Sequence, residues 1–520
     1  MTDRRDDRFD WHPEPDLIDY GVATARPAME RLGADTWAAA LDFLYDQAAH
    51  RAMGDPAPYA ELRARFFGAA GGPASAPAGP APIGDVLDEF RRRLAGGQMA
   101  AQHPRQFGYF TPPPLPASMM GELLAQMTNQ GVDVWHAGPL ATFVEEEVVR
   151  WLCDLVGFGA GSFGLLTSGG VMANFIGMAL ARDIHLGRLL DAGRAPRGGL
   201  LDGVRVYTSD QTHFSIGRAL DLLGFPPETL AVIPSDERFR LRGAPVAEAV
   251  ARDRAAGLMP FAIAGVVGST NTGSVDATGE LADVAATEDL WLHVDAAYGG
   301  AARLSARDAA RVPDLERADS VTVDPHKWFF QAYDIGGLLV RDGSHLAAVF
   351  GGRAPEYYRG GETPVENPHD DHADQLNFYK LSFEGTRRWR ALKLWMSWKH
   401  LGSEGFARLI EANDDHALLL TRLCTAADDF EAAIDPPDLS VVCFRHLPGG
   451  HAAAAALPSA DLDAHQDRLQ RALEVSGEGW LTTTRLRGAT WLRAGIVNYL
   501  TTDADIAALL ETLRRLAAEA

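Results

Sequence analysis

The chain has 520 residues, 47% of them hydrophobic and 23% charged, with a formal net charge of −22 and a pI near 5.1. This apolar fraction excludes a disordered chain, and the length calls for more than one core. The acidic balance excludes binding to nucleic-acid phosphates or to an anionic membrane surface, both of which need clustered Lys and Arg.

In chain order, no apolar run approaches the ~20 residues that span a bilayer, and the charged start MTDRRDDRFD predicts no secretory signal. The first hundred residues predict a helical arm, with apolar residues at helical spacing over 36–52 and again over 83–94. Between them, 68–82 (GAAGGPASAPAGPAP) is almost pure Gly, Ala and Pro, which reads as a mobile loop or linker. From 157 to 341 short apolar runs alternate with helical stretches: 163–166, 204–209, 230–235, 261–268, 290–295 and 320–324 predict strands. Several are apolar on both faces, as in a parallel sheet covered by helices. Segments 172–190, 213–223, 246–255 and 279–287 are long enough for crossover helices, so the rhythm is βαβ. After about residue 400 helices give way to strands at 438–446, 479–486 and 489–496 and a terminal helix at 503–519, a small α+β domain. Cys153, Cys424 and Cys443 have neither disulfide parity nor metal-ligand spacing, which predicts a reduced, cytoplasmic chain without bound metal.

Chemistry concentrates at the carboxyl ends of the predicted strands, where an α/β sheet presents ligands. VTVDPHKWF (321–329) ends a strand, turns at Pro325 and leaves His326 and Lys327 at the mouth. A lysine among aromatic bulk suits a Schiff base, because desolvation lowers an amine's pKa toward neutrality; an arbitrary lysine after a turn is a surface charge. LWLHVDAAYGG (290–300) puts Asp295 at a strand end, followed by Ala296 and Ala297, small enough to let a flat ring approach. A carboxylate below such a ring keeps a pyridine nitrogen protonated, although a strand-end Asp is more commonly a cap. LLTSGGVMANF (165–175) runs strand, Ser-Gly-Gly, helix, and its backbone N–H groups would cradle a phosphate without a Walker or GxGxxG loop. His213, in YTSDQTHFSIGRA (207–219), follows another strand end. Each feature alone has a plain structural explanation. Together, in this order, they match one cofactor, pyridoxal 5'-phosphate: phosphate cradle, ring-stacking His, pyridine-partner Asp and Schiff-base Lys.

HPRQFGYF, SDQTHFSIGRA, WLHVDAAYGG, DPHKW and RRWRALKLW, between about residues 103 and 398, resemble the blocks of the group II pyridoxal-phosphate-dependent decarboxylases, the family of the aromatic-L-amino-acid and glutamate decarboxylases. The resemblance implies fold type I (aspartate-aminotransferase-like) with a mostly parallel seven-stranded sheet. It further implies a helical arm at 1–115, a large cofactor-binding domain at 116–395 and a small domain at 396–520. It assigns Lys327 to the cofactor aldehyde, Asp295 to the pyridine nitrogen, Ala297 and His213 to the two ring faces, and Gly170, Val171 and His326 to the phosphate. Thr270 lies near the cofactor, and Asp276 belongs to the same segment. Asp324 stands where the animal aromatic enzymes carry Asn, which puts one phosphate contact in doubt.

By the same resemblance, a mobile loop supplies a tyrosine that reprotonates the substrate carbon, here Tyr357 with Tyr358 as competitor. Relatives that make aldehydes oxidatively often lack this Tyr or the stacking His. Decarboxylation is therefore favoured over aldehyde synthesis, transamination or an idle scaffold. Tyr109, Phe110, Trp135 and Tyr333 fall where the aromatic enzymes line the side-chain pocket. Thr386 leans toward a phenol rather than an indole substrate, and Arg105 keeps glutamate as an alternative. The family also implies a homodimer with interfacial sites and the arm wrapped round the partner, which agrees with amphipathic helices that need cover.

Overall fold

The structure is a computed structural model describing residues 26–46, 52–68, 72–73, 75–79, 81–191, 201–352 and 375–519. The chain divides into two compact units: Met1–Gln106 with Arg468–Trp480 and Glu511–Ala520, and Phe107–Asp467 with Leu481–Leu510. Among the described residues, no helix is long and apolar enough to cross a membrane.

In the larger unit, β1 (Phe163–Thr167), β2 (Val204–Ser209), β3 (Leu230–Ile233), β4 (Met259–Val266), β5 (Trp291–Asp295), β6 (Ser320–Val323) and β7 (Gly336–Val340) form one sheet in the order β1-β7-β6-β5-β4-β2-β3. β7 runs antiparallel to both its neighbours, and the remaining pairs are parallel. The sheet is thus seven-stranded and mostly parallel, as expected, but the sequence reading missed β7. Its residues, GGLLV, are short and glycine-led, and they follow the chemistry-bearing turn directly with no crossover helix to announce them. Neighbouring residues along β4 and β5 feed opposite cores: Ile263 and Leu292 pack with Val149, Val246 and Leu281, while Ala262, Ala264 and Trp291 pack with Ile176, Ile216 and Leu220. That two-sided burial is why these strands read as continuous apolar runs.

The expected crossover helices form at Gly170–Leu180, Ser215–Leu222, Gly243–Ala255 and Thr278–Glu288. A second, antiparallel sheet combines β8 (Phe430–Ala432), β9 (Val441–His446), β10 (Thr482–Leu486) and β11 (Ala489–Gly495) in the order β10-β11-β9-β8. β8 has three residues, too few to show an alternation, and was also missed. The helix Ala391–Ala426 begins earlier than the switch expected near residue 400 and breaks at Gly402, whose φ of 63° suits glycine.

In the smaller unit, the helical stretch expected over 83–94 forms as Ile83–Glu89 continued by Phe90–Leu94; the one expected over 36–52 lies at the end of a helix that starts earlier, Arg26–Leu41, continued by Asp42–Asp46; and the helix Tyr59–Phe67 was not expected. The described part of the Gly/Ala/Pro stretch has neither helix nor strand. The unit is tied together by backbone bonds from Ala52 N–H to Gly477 O at 2.9 Å and from Trp480 N–H to Arg105 O at 2.9 Å. It leaves Trp37, Tyr45, Tyr59 and Phe66 exposed.

One buried ion pair anchors the carboxyl end of β1. Arg387, 1% exposed, donates to the Glu145 carboxylate, to Leu166 O at 2.7 Å and to Val132 O at 3.1 Å, and lies over the Phe378 ring. Glu145 in turn accepts from Leu166 N–H at 3.2 Å, so the helix Pro139–Val156 and the end of β1 are pinned to one guanidinium. Removing one member of a buried pair leaves an uncompensated charge. Glu145→Gln is expected to destabilise the protein by about 3–5 kcal/mol, read as a lower urea midpoint at unchanged slope; a shift equivalent to less than about 1 kcal/mol would show that the pair is not an anchor.

Candidate active site

A cavity of about 430 Å³ opens where the carboxyl ends of β1, β4, β5 and β6 meet. The register makes this one place: Val266 pairs with Asp295, Asp295 with Thr322, and Thr167 with Gly336. At one end of the cavity the helix Gly170–Leu180 begins. Its first amides have no carbonyl ahead of them, and the helix dipole adds positive potential. Gly169 holds φ of 155°. A Cβ at Gly170 would lie 2.8 Å from Asp324 Oδ2 and 3.3 Å from Ala297 Cβ, and one at Gly169 would lie 3.2 Å from His326 Cε1. Two glycines therefore leave bare backbone facing a space that side chains would fill.

Deeper in, Asp295 is buried; its Oδ2 accepts from Asn174 Nδ2 at 2.8 Å and its Oδ1 from Ala297 N–H at 3.1 Å. His213 Nδ1 stands 2.8 Å from Ser215 Oγ. Burial lowers the His213 pKa and outweighs the nearby Asp295, so the ring is held neutral. His326 is lowered for the same reason.

Lys327 Nζ lies 3.1 Å from Asp324 Oδ2. Burial pulls this amine's pKa down, as the sequence reading expected, but Asp324 and then Asp295 outweigh it and the pKa is raised. The expectation of a depressed lysine is corrected for the chain by itself, because two carboxylates share the site. Asp324 is buried, and among the described residues its Oδ1 has no hydrogen-bond partner. It supplies the counter-charge of Lys327.

The structure brings Lys327, His213, Asp295, Ala297, Gly170, Val171, Thr270, His326, Phe110 and Tyr333 to this one cavity. Phe110 is buried and stacks on Tyr298, 4.1 Å between centroids, while the Tyr333 hydroxyl meets Thr111 Oγ1 at 3.0 Å. Tyr109 and Trp135 are not among the lining residues: Tyr109 is 58% exposed, and Trp135 occupies the turn Trp135–Ala137 with its ring edge-on to His136. Thr386 is exposed and outside the lining. Asp276 is buried away from the cavity, accepting from Leu241 and Val266 N–H at 2.7 Å each; burial pushes its pKa up to about 7. Tyr357 and Tyr358 lie outside the described residues.

The sequence reading passed over Asn174, Phe214, Tyr298 and Arg493. Asn174 was detectable, since it follows Gly170 by four residues and shares its helix face. Arg493 was not, because it enters from β11; it donates to Thr270 O at 2.7 Å and lies over Phe110.

These residues fit pyridoxal phosphate. Free amides and a glycine cradle face one end, a buried carboxylate that can only accept lies deeper, a primary amine stands between, and a buried acidic oxygen is orphaned beside that amine. Asp324→Asn is expected to lower the Lys327 pKa, because the nearest counter-charge is removed while burial remains. The pH dependence of Lys327 labelling by an amine-directed reagent on cofactor-free protein checks this; an unchanged pKa would assign the shift to Asp295 alone.

The pyridoxal-dependent decarboxylase conserved domain matches residues 69–447. The chain is 33% identical to an aromatic-L-amino-acid decarboxylase of Bacillus atrophaeus over 84% of this chain and 85% of the relative. It is 31% identical to an L-2,4-diaminobutyrate decarboxylase of Rhizobium meliloti (strain 1021), over 84% and 82%. Among solved structures, Oryza sativa TDC with PLP and tryptamine superposes with a TM-score of 0.84 at 27% identity, covering 96% of this chain and 98% of that one. A shared domain over most of its length, and a cavity built for the same cofactor, make this chain a member of the pyridoxal-dependent decarboxylase family, carboxy-lyases that act on amino acids with pyridoxal phosphate.

Proposed function

We propose that the substrate is an aromatic L-amino acid, released as its amine and carbon dioxide. The observation that carries this is the cavity wall. Phe110, Phe214, Tyr298 and Tyr333 contribute rings, and among the described residues no arginine lines the cavity. Of its two acids, Asp295 is engaged by Asn174 and Asp324 faces Lys327 through Oδ2. A glutamate side chain would need a free cation; the stacked rings instead favour a flat apolar group, at about 0.5–1.5 kcal/mol per contact.

Pyridoxal phosphate, when bound, supplies an aldehyde for the substrate amine and a protonated pyridine that accepts the electron pair left as carbon dioxide departs. In our reading the helix N-terminus at Gly170 and Val171, with His326, holds the phosphate. Asp295 keeps the ring nitrogen protonated, and Ala297 and His213 flank the ring. Thr270 borders the same cavity. Lys327 provides the amine that anchors the cofactor between turnovers. Tyr357 returns a proton to the substrate carbon as general acid.

We further read the protein as a cytoplasmic homodimer with the arm at 1–115 wrapped round its partner. Leu123, Leu124, Met127, Leu140 and Phe143 are exposed on the larger unit, and Trp37, Tyr45 and Tyr59 on the smaller. Exposed apolar side chains of this kind support that reading. Tyr109 and Trp135 would then complete a site from outside its own lining.

Cofactor-loaded protein is expected to release carbon dioxide and amine in equal amounts from Tyr, dopa, Phe or Trp; turnover of glutamate or 2,4-diaminobutyrate alone would overturn the aromatic reading. With dissolved oxygen as the oxidant, reduced to peroxide, Tyr357→Phe is expected to divert product to aldehyde and ammonia, while cofactor binding is unchanged. Unaltered amine output would move the role to Tyr358 or elsewhere.

A further inference from the structure

Beneath the cavity floor a chain of buried side chains has only one consistent set of donors and acceptors. Asn174, 1% exposed, is its centre. Its Nδ2 lies 2.8 Å from Asp295 Oδ2 and 2.8 Å from Ser215 Oγ. Its Oδ1 lies 2.6 Å from Thr322 Oγ1 and 3.0 Å from His293 Nε2. A carboxylate only accepts, so the atom against Asp295 must be the amide nitrogen, and the amide orientation follows without further choice.

The rest propagates from that atom. The second N–H of Asn174 enters Ser215 Oγ, whose other partner among the described residues is His213 Nδ1, 2.8 Å away; that nitrogen also faces the Ser215 backbone N–H, which can only donate, at 3.4 Å, so the Ser215 hydroxyl proton points at His213 Nδ1. His213 Nδ1 is therefore an acceptor. On the far side Trp291 Nε1 can only donate, and it enters Ser320 Oγ at 3.0 Å. Ser320 then donates to His293 Nδ1 at 2.8 Å, which places the His293 proton on Nε2, toward Asn174 Oδ1. His293 is fully buried, and burial pushes its pKa down to about 4, in keeping with a neutral ring carrying one N–H. Every link agrees in direction from Trp291 to His213.

We propose that Asn174 is a positioning residue whose single amide holds the Asp295 carboxylate and, through Ser215, locks neutral His213 in the tautomer with its proton on Nε2. His213 is thereby a donor at its other nitrogen, suited to holding an anionic oxygen or handing over a proton, and closed to service as a base there. The role of Asn174 in catalysis rests on the reading of Asp295 and His213 as the groups flanking the cofactor ring. The tautomer does not, and it is tested separately.

The first test is solid-state 15N NMR of histidine-labelled protein, with and without cofactor, His213 being assigned by difference from His213→Gln. Wild type should show an unprotonated Nδ1 and a protonated Nε2. Ser215→Ala, which leaves the Asn174–Asp295 bond in place, should release a mixture of tautomers. A proton on Nδ1 in wild type, or an unchanged spectrum in Ser215→Ala, would overturn the lock.

The second test separates polarity from shape. Asn174→Ala is expected to lower kcat by about tenfold to a hundredfold, the worth of one hydrogen bond to a charged group, with a smaller change in KM. Isosteric Asn174→Asp sets a second carboxyl against Asp295 and is expected to be the worse of the two. If Asn174→Asp retains more activity than Asn174→Ala, the residue acts by volume and the positioning role is overturned. Should Asn174→Ala fail to fold, Asn174→Asp and Asn174→Ser are compared in its place, with the same order expected of Asp and the smaller residue. A confirmed tautomer with unmoved kcat would leave the lock standing and overturn both the positioning role and the ring-flanking assignment of Asp295 and His213.

Discussion

The site depends on how closely the helix Gly170–Leu180 approaches the sheet. A Cβ on Gly177 would lie 2.7 Å from His293 Cε1, and one on Gly170 2.8 Å from Asp324 Oδ2. Only glycine at both positions lets the helix lie flat on β5 and β6. That contact does two things at once: it aims the free amides of the first turn into the cavity, and it sinks Asn174 into hydrogen-bonding range of Asp295. A helix standing one methyl further out would have neither cradle nor network. Close packing is what allows no intermediate position.

The end of β1 must be equally fixed, because it delivers the chain to the cradle. Leu166 is held from both sides, its N–H by Glu145 and its carbonyl by Arg387. The family block RRWRALKLW is thus explained in part without reference to catalysis. Its first arginine is a buried strut between the helix Pro139–Val156, β1 and the turn at Val132, and it makes no contact with the cavity.

Electrostatically the cavity is a balance between burial and paired charge. Lys327, Asp324 and Asp295 lie together in it, and the two carboxylates keep the amine protonated in the chain alone. His213 and His326, in the same surroundings, lose their protons because burial prevails for them. The site therefore presents one cation, two anions and two neutral imidazoles, a distribution suited to a ligand that brings a phosphate dianion and a protonated ring. One wall of the cavity is different in kind, with Trp328 packed behind it. There Phe110, Tyr298 and Trp328 stack in sequence, with centroids 4.1 and 4.9 Å apart.

Much of this was legible in the sequence, and for identifiable reasons. Two-sided burial makes β4 and β5 continuous apolar runs, so the α/β class and the crossover helices could be read from periodicity. Strand ends collect ligands, so Asp295, His213 and Lys327 stood out as polar residues directly after such runs. β7 and β8 escaped because a five-residue glycine-led strand and a three-residue strand carry almost no period. The ionisation of Lys327 escaped because burial is visible in local sequence, whereas the 3.1 Å approach of Asp324 depends on a turn. Arg493 reaches Thr270 from more than 200 residues away, and Asn174 joins two strands and a helix. What the sequence alone determined was the set of chemical groups and the strands that carry them, because both follow from local pattern. Which groups touch, and so which are charged and where their protons lie, was decided by tertiary structure alone, because hydrogen bonds and charge interactions act across space and not along the chain.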